Sequence, residues 1–372
     1  MRDKYVFVLP SLKIGGGNKV FIHLANELAT NSKYEVSIYT VLPDSAGETN
    51  LKGMINTDVV TLMESKKRLS KIGAVIYFLR RLKTMDGFLI VSDPMVCSFL
   101  IFSQKKYIRF IQGNDYYLFD KHVKFNWAML LMYKALQRMS YKLKNSYYVT
   151  NSDYIMCCLF SKPYYISEER VSPIKVSPSL SEEYFLKPII RNTEMIESFE
   201  VITIGTVGRI HHKKGFNYFV RLANELSNST NQLFKFIVMS HDDLSKFDLS
   251  NIKLFSSNTD EESIKFYDKC DIFVSTSLFE GFGMPPLEAM ARGCACVLFD
   301  CEGYREYATD KDNSLIVPVG DYLSLYKEVI GLSSDKKLQE KLSQKGIQTA
   351  RKFKWKDAAK RLQQALKSWE AK

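Results

Sequence analysis

The sequence predicts an α/β chain made of two Rossmann-like, doubly wound domains. Three observations carry this. Short apolar strands alternate with helical stretches along all 372 residues, the pattern of βαβ units wrapped around a parallel sheet. In each half a strand runs through a glycine loop directly into a helix, so that free helix N–H groups and the helix dipole face whatever lies in the loop. The length fits two domains, and Val171–Pro188, with three prolines among polar residues, reads as the linker between them. The expected boundaries are 1–185 for the first domain, 186–355 for the second and 356–372 for a terminal helix.

In the first half, Tyr5–Leu9 is a strand apolar enough to be buried on both faces. Pro10–Lys19 follows, with Gly15, Gly16 and Gly17 adjacent, and then a helix with Val20, Leu24, Ala25 and Leu28 at helical spacing. The loop is not G-x-G-x-x-G, so a dinucleotide fingerprint fits poorly. Three glycines in a row suit a backbone that is approached closely, or a flexible turn. Glu35–Val41, Phe88–Ser92, Lys106–Ile111 and Tyr147–Thr150 are the next strands. Three of them end in polar residues: Asp93, the run Gln112–Asp115, and Asn151–Asp153. Ligands of such sheets gather at these carboxyl ends.

Positive charge is concentrated here. Residues 1–185 hold 25 Lys and Arg against 16 Asp and Glu, whereas the remainder holds 27 against 25. Lys66, Lys67, Arg68, Lys71, Arg80, Arg81 and Lys83 interleave with Leu69, Ile72, Val75, Ile76, Phe78 and Leu79. In Phe125–Lys144, Trp127, Met129, Leu130, Met132, Tyr133 and Leu136 share a stretch with Lys134, Arg138, Lys142 and Lys144. Such helices fit an anionic membrane surface, and equally a core-facing helix with a solvated basic side. Nucleic acid is not expected, since no zinc finger or RNA-binding signature accompanies the charge.

The second half opens with strand Val201–Ile204 and the loop Gly205–Gly215, in which Arg209 and Lys214 precede a helix carrying Phe219, Leu222, Ala223 and Leu226. Arginine offers a planar fork to phosphate oxygens and lysine a point charge. Phe234–Met239 and Ile252–Phe255 are strands, Glu261–Lys269 a helix and Asp271–Ser275 another strand. Then comes S-L-F-E-G-F-G-M-P-P-L-E-A-M-A-R-G, from Ser277 to Gly293. Glu280 stands at the mouth of the loop and Glu288 within the helix that follows. Pro285 and Pro286 sit near the helix start, where a missing N–H costs little, and Gly293 suits the C′ position. Strand Cys296–Phe299, Leu315–Pro318 and amphipathic helices complete the chain, the last helix running from about Lys356 to Ala371.

E-G-F-G-M-P-P-L-E-A-M-A-R-G resembles the E-x7-E signature of the retaining, nucleotide-sugar-dependent glycosyltransferase family 4, bacterial cell-surface polysaccharide type, and G-R-x-x-x-K-K-G, starting at Gly208, resembles that family's diphosphate loop. The resemblance is strong over the second half and topological over the first. It implies the GT-B fold, two Rossmann-like domains facing a cleft with a C-terminal helix crossing back to the first. It implies a hexosyltransferase-like enzyme that moves a sugar from a nucleoside diphosphate sugar to an acceptor hydroxyl with retention. The expected acceptor is a lipid-linked or cell-surface saccharide. Arg209 and Lys214 are expected to neutralise the leaving diphosphate, and Glu280 to meet the transferred sugar. Glu288 is expected to take the ribose hydroxyls. Gly16, Gly17, Ser256, Gly281, Phe282, Gly283, Met284 and Leu287 are expected to line the donor. Many family members place a histidine near the reacting sugar where this chain has Gln112-Gly113-Asn114-Asp115. Asp115 is therefore the acceptor-side candidate, against the plainer reading of a helix-capping aspartate.

No cofactor or metal is expected. Cys294, Cys296 and Cys301 read as buried thiols, and His211 and His212 lack a third ligand. The seven scattered cysteines and the absence of a signal segment before the first strand suggest a reducing, cytoplasmic setting, with membrane contact at most peripheral. Two other readings remain. A GT-B sugar-nucleotide epimerase would interconvert labelled donor without acceptor. A non-catalytic carbohydrate-binding partner subunit would not need the four charged residues intact.

Overall fold

The structure, a computed structural model, describes residues 3–13, 15–42, 51–65, 70–103, 105–114, 127–189, 194–196, 199–229 and 233–370. The chain divides into two compact units, Met1–Ser179 together with Trp355–Lys372, and Leu180–Lys354.

The first unit runs β1 (Asp3–Leu9), α1 (Gly16–Ala29), β2 (Tyr34–Thr40), β3 (Val60–Glu64), α2 (Lys71–Leu82), β4 (Phe88–Val91), α3 (Pro94–Phe99), β5 (Tyr107–Ile111), α4 (Trp127–Lys142), β6 (Ser146–Thr150) and α5 (Asp153–Phe160). Its sheet is parallel, in the order β3-β2-β1-β4-β5-β6. The order reverses between β1 and β4, the switch point where doubly wound folds bind ligands. Strand side chains alternate in direction. Phe7, Ile38 and Phe110 therefore face α1 through Phe21, Leu24 and Leu28, while Val6, Val8, Leu89 and Tyr107 face α2 and α3. Strand β3 escaped the sequence reading because it is an edge strand, buried fully only at Val60.

The second unit runs α6 (Glu183–Leu186), β7 (Glu194–Ile196), β8 (Phe199–Val207), α7 (Phe216–Ser229), β9 (Leu233–Met239), β10 (Ile252–Phe255), α8 (Asp260–Tyr267), β11 (Ile272–Ser275), α9 (Met284–Ala291), β12 (Ala295–Phe299), β13 (Leu315–Val317), α10 (Tyr322–Ser334) and α11 (Lys336–Ala350). The order β10-β9-β8-β11-β12-β13 repeats that of the first sheet, with β7 added antiparallel to β8. The terminal helix α12 (Trp355–Glu370) belongs to the first unit. It buries Ala358, Ala359, Leu362, Ala365 and Leu366 in the core beside α1. Trp355 stacks on His23 at 4.7 Å and Trp369 on Tyr147 at 5.8 Å.

The Val171–Pro188 stretch holds the division between the two units, and much of it is packed rather than solvated. Ser172 N–H donates to Tyr148 and Val176 N–H to Thr150, so this segment runs along β6 with Val171 and Val176 buried. Leu180 and Tyr184 are buried in the other unit, and the division falls at Ser179/Leu180 rather than at 185. Proline and serine signal the break in regular structure but are silent about the apolar residues spaced between them.

Candidate functional site

In the second unit β8 and β11 are neighbours at the point where strand order reverses. Each ends in one of the two charged loops, so sheet topology brings together residues far apart in sequence. Lys214 Nζ lies 2.6 Å from Glu280 Oε1, and Ser277 Oγ donates to the same oxygen at 2.8 Å. The backbones are tied as well, Leu278 N–H donating to Lys213 O at 2.7 Å. Gly215 closes the first loop with φ +56, and a Cβ there would lie 2.1 Å from Thr276 O. Only glycine allows both that conformation and that approach. Lys213 turns away, its Nζ 5.5 Å from the centre of the Phe279 ring.

Arg209 follows β8 and is held by a residue the sequence reading did not single out. Asp242, in the loop after β9, accepts from Arg209 Nε at 3.1 Å and from Ile210 N–H at 2.7 Å through one oxygen. Its own N–H donates to Ser240 Oγ at 3.0 Å. Arg209 therefore spends its inner nitrogen on the protein. Burial is asymmetric within both ion pairs. The acids are the enclosed partners, Glu280 12% and Asp242 19% exposed, while Lys214 is 35% and Arg209 41% exposed. Two cations are thus presented outward from a base of two more enclosed, half-buried carboxylates, an arrangement that can receive a polyanion.

The glycine loop before α9 is supported from beneath. Gly283 has φ +81, and a Cβ there would strike the Tyr304 ring at 2.1 Å. Tyr304 shares a 2.6 Å hydrogen bond with Ser275 Oγ, and Tyr307 donates to Gly283 O. Gly303 packs so closely on Glu280–Phe282 that a Cβ would come within 2.6 Å of Glu280 O. Cys301 donates to Ser277 O at 2.9 Å. Burial, reinforced by the Glu280 charge, pushes its thiol well above the ordinary range, so it stays a neutral donor. Tyr304, Tyr307 and Cys301 set the loop, and no sequence motif marked them.

Glu288 lies in the second turn of α9, half-buried, and Tyr267 at the end of α8 donates to its Oε2 at 2.6 Å. Met284 is half-buried at the start of α9 and Gly281 is buried in the loop. Phe282 and Leu287 turn into the core, Phe282 against Tyr307 and Phe353. With both side chains buried, only the backbone of these two residues is left to meet a ligand. The prolines at 285 and 286 also remove two N–H groups from the first turn of α9, so the loop amides carry more of any anion contact than the helix end does. Ser256 is exposed directly after β10, two strands from β8.

In the first unit Gly16 and Gly17 open α1, and a Cβ at Gly16 would meet nothing within 4 Å. Gln112 Nε2 donates to Gly17 O at 3.2 Å and to Ser92 Oγ at 2.8 Å, bridging the first turn of α1 and the end of β4 at this sheet's own switch point. Asn114 accepts from Tyr164 at 2.5 Å. Asp115 and the basic run 66–68 lie outside the described residues. Among the described residues no group of three His, Cys, Asp or Glu side chains is placed to hold a metal.

Residues 197–349 match the family profile described as glycosyl transferases group 1. The chain is 25% identical over 207 residues to the poly(glycerol-phosphate) alpha-glucosyltransferase of Bacillus subtilis (strain 168), an overlap of 51% of this chain and 30% of that one. It spans between 22% and 31% of the length of the first curated relatives it matches. Among solved structures it resembles the sucrose-phosphate synthase of Thermosynechococcus elongatus, with a TM-score of 0.76 at 14% identity over 100% of both chains. It also resembles HepE of Anabaena in complex with UDP-glucose, with a TM-score of 0.72 at 14% identity over 99% of this chain and 100% of that one. These likenesses show the fold, two doubly wound α/β units of the GT-B class.

Proposed function

We propose that this chain is a retaining, hexosyltransferase-like glycosyltransferase acting in the cytoplasm. It moves a sugar from a nucleoside diphosphate sugar to a hydroxyl of a lipid-linked or cell-surface saccharide. The observation that carries the reading is the outward-facing pair Arg209 and Lys214, backed by Asp242 and Glu280 at the switch point. It lies wholly inside the segment that matches the family profile. The named activity of the Bacillus relative and the nucleotide sugar in the Anabaena structure are in keeping with it.

In the reaction the acceptor oxygen bonds to the anomeric carbon on the face from which the diphosphate leaves. The bond from that carbon to the phosphate oxygen breaks, and the acceptor proton passes to the departing diphosphate. Negative charge grows on the leaving group, where Arg209 and Lys214 oppose it, and stabilisation of this kind is often the largest catalytic term. A bound diphosphate competes with Glu280 for Lys214, which releases the Glu280 carboxylate toward the sugar hydroxyls. Glu288, its carboxylate fixed by Tyr267, takes the ribose.

Free nucleoside diphosphate contains the ribose but not the sugar. Glu288→Ala is therefore expected to weaken diphosphate binding by about 1–3 kcal/mol, the worth of a lost hydrogen bond to a charged group. Glu280→Ala is expected to leave that binding nearly unchanged, or to tighten it by freeing Lys214, and to lower turnover of the complete donor. Calorimetric titration of both variants decides; equal weakening would mean that the two glutamates do not divide the donor. A separate expectation concerns metals. The two cations supply the charge that a divalent ion supplies elsewhere, so transfer should persist in EDTA, and loss on chelation with recovery on adding Mg²⁺ or Mn²⁺ would refute metal independence.

A further inference from the structure

The first sheet carries a cavity at the end opposite its switch-point loops, where β1 and β2 begin. Lys4, Val6, Glu35, Ser37 and Tyr39 share one face of these strands, with Lys4 beside Glu35 and Val6 beside Ser37 in register. Met63 of β3 stands beside Tyr39. The end of α2 covers this face, packing on it through Leu82 and Met85. Val6 and Ser37 are too small to fill the space beneath. An opening of about 180 Å³ is left between them and Met63, Arg81, Met85 and Asp86, room for a small molecule rather than one water. The roof of this cavity is fixed. Lys105 donates to the carbonyls of Leu82 and Met85. Gly87, at φ +98, lies so close to β1 that a Cβ there would strike Lys4 O.

The polar groups around the cavity are unequally satisfied. Lys4 Nζ lies 3.6 Å from Glu35 Oε2 at the rim, so these two charges offset each other. Arg81 forms no ion pair among the described residues. Beside it Tyr39 is 1% exposed, and its hydroxyl has no hydrogen-bond partner. Burial raises this phenol to about 12, Tyr77 adds to the rise and the Arg81 charge opposes it, so the hydroxyl stays a neutral donor. A buried hydroxyl left unbonded is costly and calls for a missing partner. Asp86 supplies the opposite charge in the same wall.

We propose that this cavity binds a small zwitterion with an apolar body, of the α-amino acid type. Its carboxylate meets the planar fork of Arg81, with the hydroxyls of Ser37 and Tyr39 as further donors. Its ammonium group meets Asp86. Its body lies on Val6, Met63 and Met85, and an apolar wall with a few placed polar groups is the usual make-up of a ligand site. A plain anion would leave Asp86 unmatched, and a plain cation would leave Arg81 unmatched. The assignment does not rest on the proposed donor chemistry.

The test is calorimetric titration of the full chain with L-leucine, L-leucinamide and 4-methylpentanoate, which share one apolar body and differ in charge. L-leucine should bind and raise the melting temperature with its concentration. Each of the other two should bind about 10-fold more weakly or worse, the scale of one lost bond to a charged group. Arg81→Gln should lower L-leucine affinity by a similar factor. Asp86→Asn should do the same while leaving 4-methylpentanoate binding unchanged. Tyr39→Phe separates ligand from fold: without ligand it should melt at or above the wild-type temperature, because the hydroxyl it removes has no partner, yet it should bind L-leucine more weakly. Absence of L-leucine binding at millimolar concentration, equal binding of the three probes, or binding unaffected by Arg81→Gln and Asp86→Asn would overturn the proposal. So would a Tyr39→Phe chain that is less stable and binds as tightly as wild type, which would mean that the hydroxyl serves the fold.

Discussion

Lys214→Ala and Arg209→Ala are each expected to lower kcat/KM by at least about 100-fold, roughly 2.7 kcal/mol of transition-state stabilisation. The loss at Lys214 has two parts. One is the charge that no longer meets the departing diphosphate. The other is Glu280, which keeps a mostly buried carboxylate but loses its 2.6 Å partner, and a buried charge left unpaired is costly. The double variant Lys214→Ala/Glu280→Gln separates them: if the unpaired carboxylate matters, the double variant folds better than Lys214→Ala yet remains as slow. Arg209 tests a positioning group as well. Asp242→Asn can still accept from Ile210 N–H, so the loop stays in place, but it no longer holds the guanidinium by charge. A fall in kcat of about 3- to 10-fold is expected, smaller than for removing Arg209, since a charge-assisted bond is worth more than a neutral one. The measurements are initial rates with the nucleotide sugar that the wild-type chain turns over, with melting curves as the control for folding. Near-wild-type turnover in either alanine variant, with folding intact, would sink the diphosphate clamp.

Both charged loops were legible before the fold was, because each is a local pattern: strand, glycine, charge, helix. Arg209, Lys214, Glu280 and Glu288 fall where those patterns put them. What holds them is not local. Asp242 follows β9 and reaches Arg209 only because β9 and β8 are paired, and Tyr267 reaches Glu288 across α8 and α9. Tyr304 and Tyr307 rise under Gly283 from beyond β12. A tyrosine or aspartate that supports a site carries no spacing signature of its own. The same limit explains Phe282 and Leu287, read as ligand contacts from their place in the motif and found in the core. Around α4 the sequence left two readings open, a core-facing or a surface-lying helix. Amphipathicity defines two sides of a helix but not which side meets the sheet. The buried Gln137, Ser140 and Tyr141 answer that, and they are mostly polar because they enclose Arg109 rather than an apolar layer.

Arg292→Ala is expected to destabilise the protein by about 3–5 kcal/mol, the scale for removing one partner of a buried ion pair. Arg292 sits at the C-cap of α9 with its side chain fully buried. Its Nε and Nη2 meet the two oxygens of Asp268 at 2.7 and 3.0 Å. Its Nη1 donates to the carbonyls of Tyr184 and Lys187, each at 2.9 Å, and Nη2 to that of Pro188 at 3.0 Å. All five guanidinium N–H groups are thereby used, and three segments of chain converge on one side chain. Lysine keeps the charge but brings three donors to five bonds, so Arg292→Lys should recover less than half of the loss. The site feels this junction too. Asp268 follows Tyr267, the residue that fixes Glu288, so loosening the end of α8 should weaken nucleoside diphosphate binding in Arg292→Lys even where the chain is folded. Denaturant unfolding gives the first quantity, as a lower midpoint at unchanged slope, and calorimetry gives the second. A change below about 1 kcal/mol in Arg292→Ala would place its stability effect in the range of ordinary surface substitutions, and would mean that α6, α8 and α9 do not depend on this side chain to stay together.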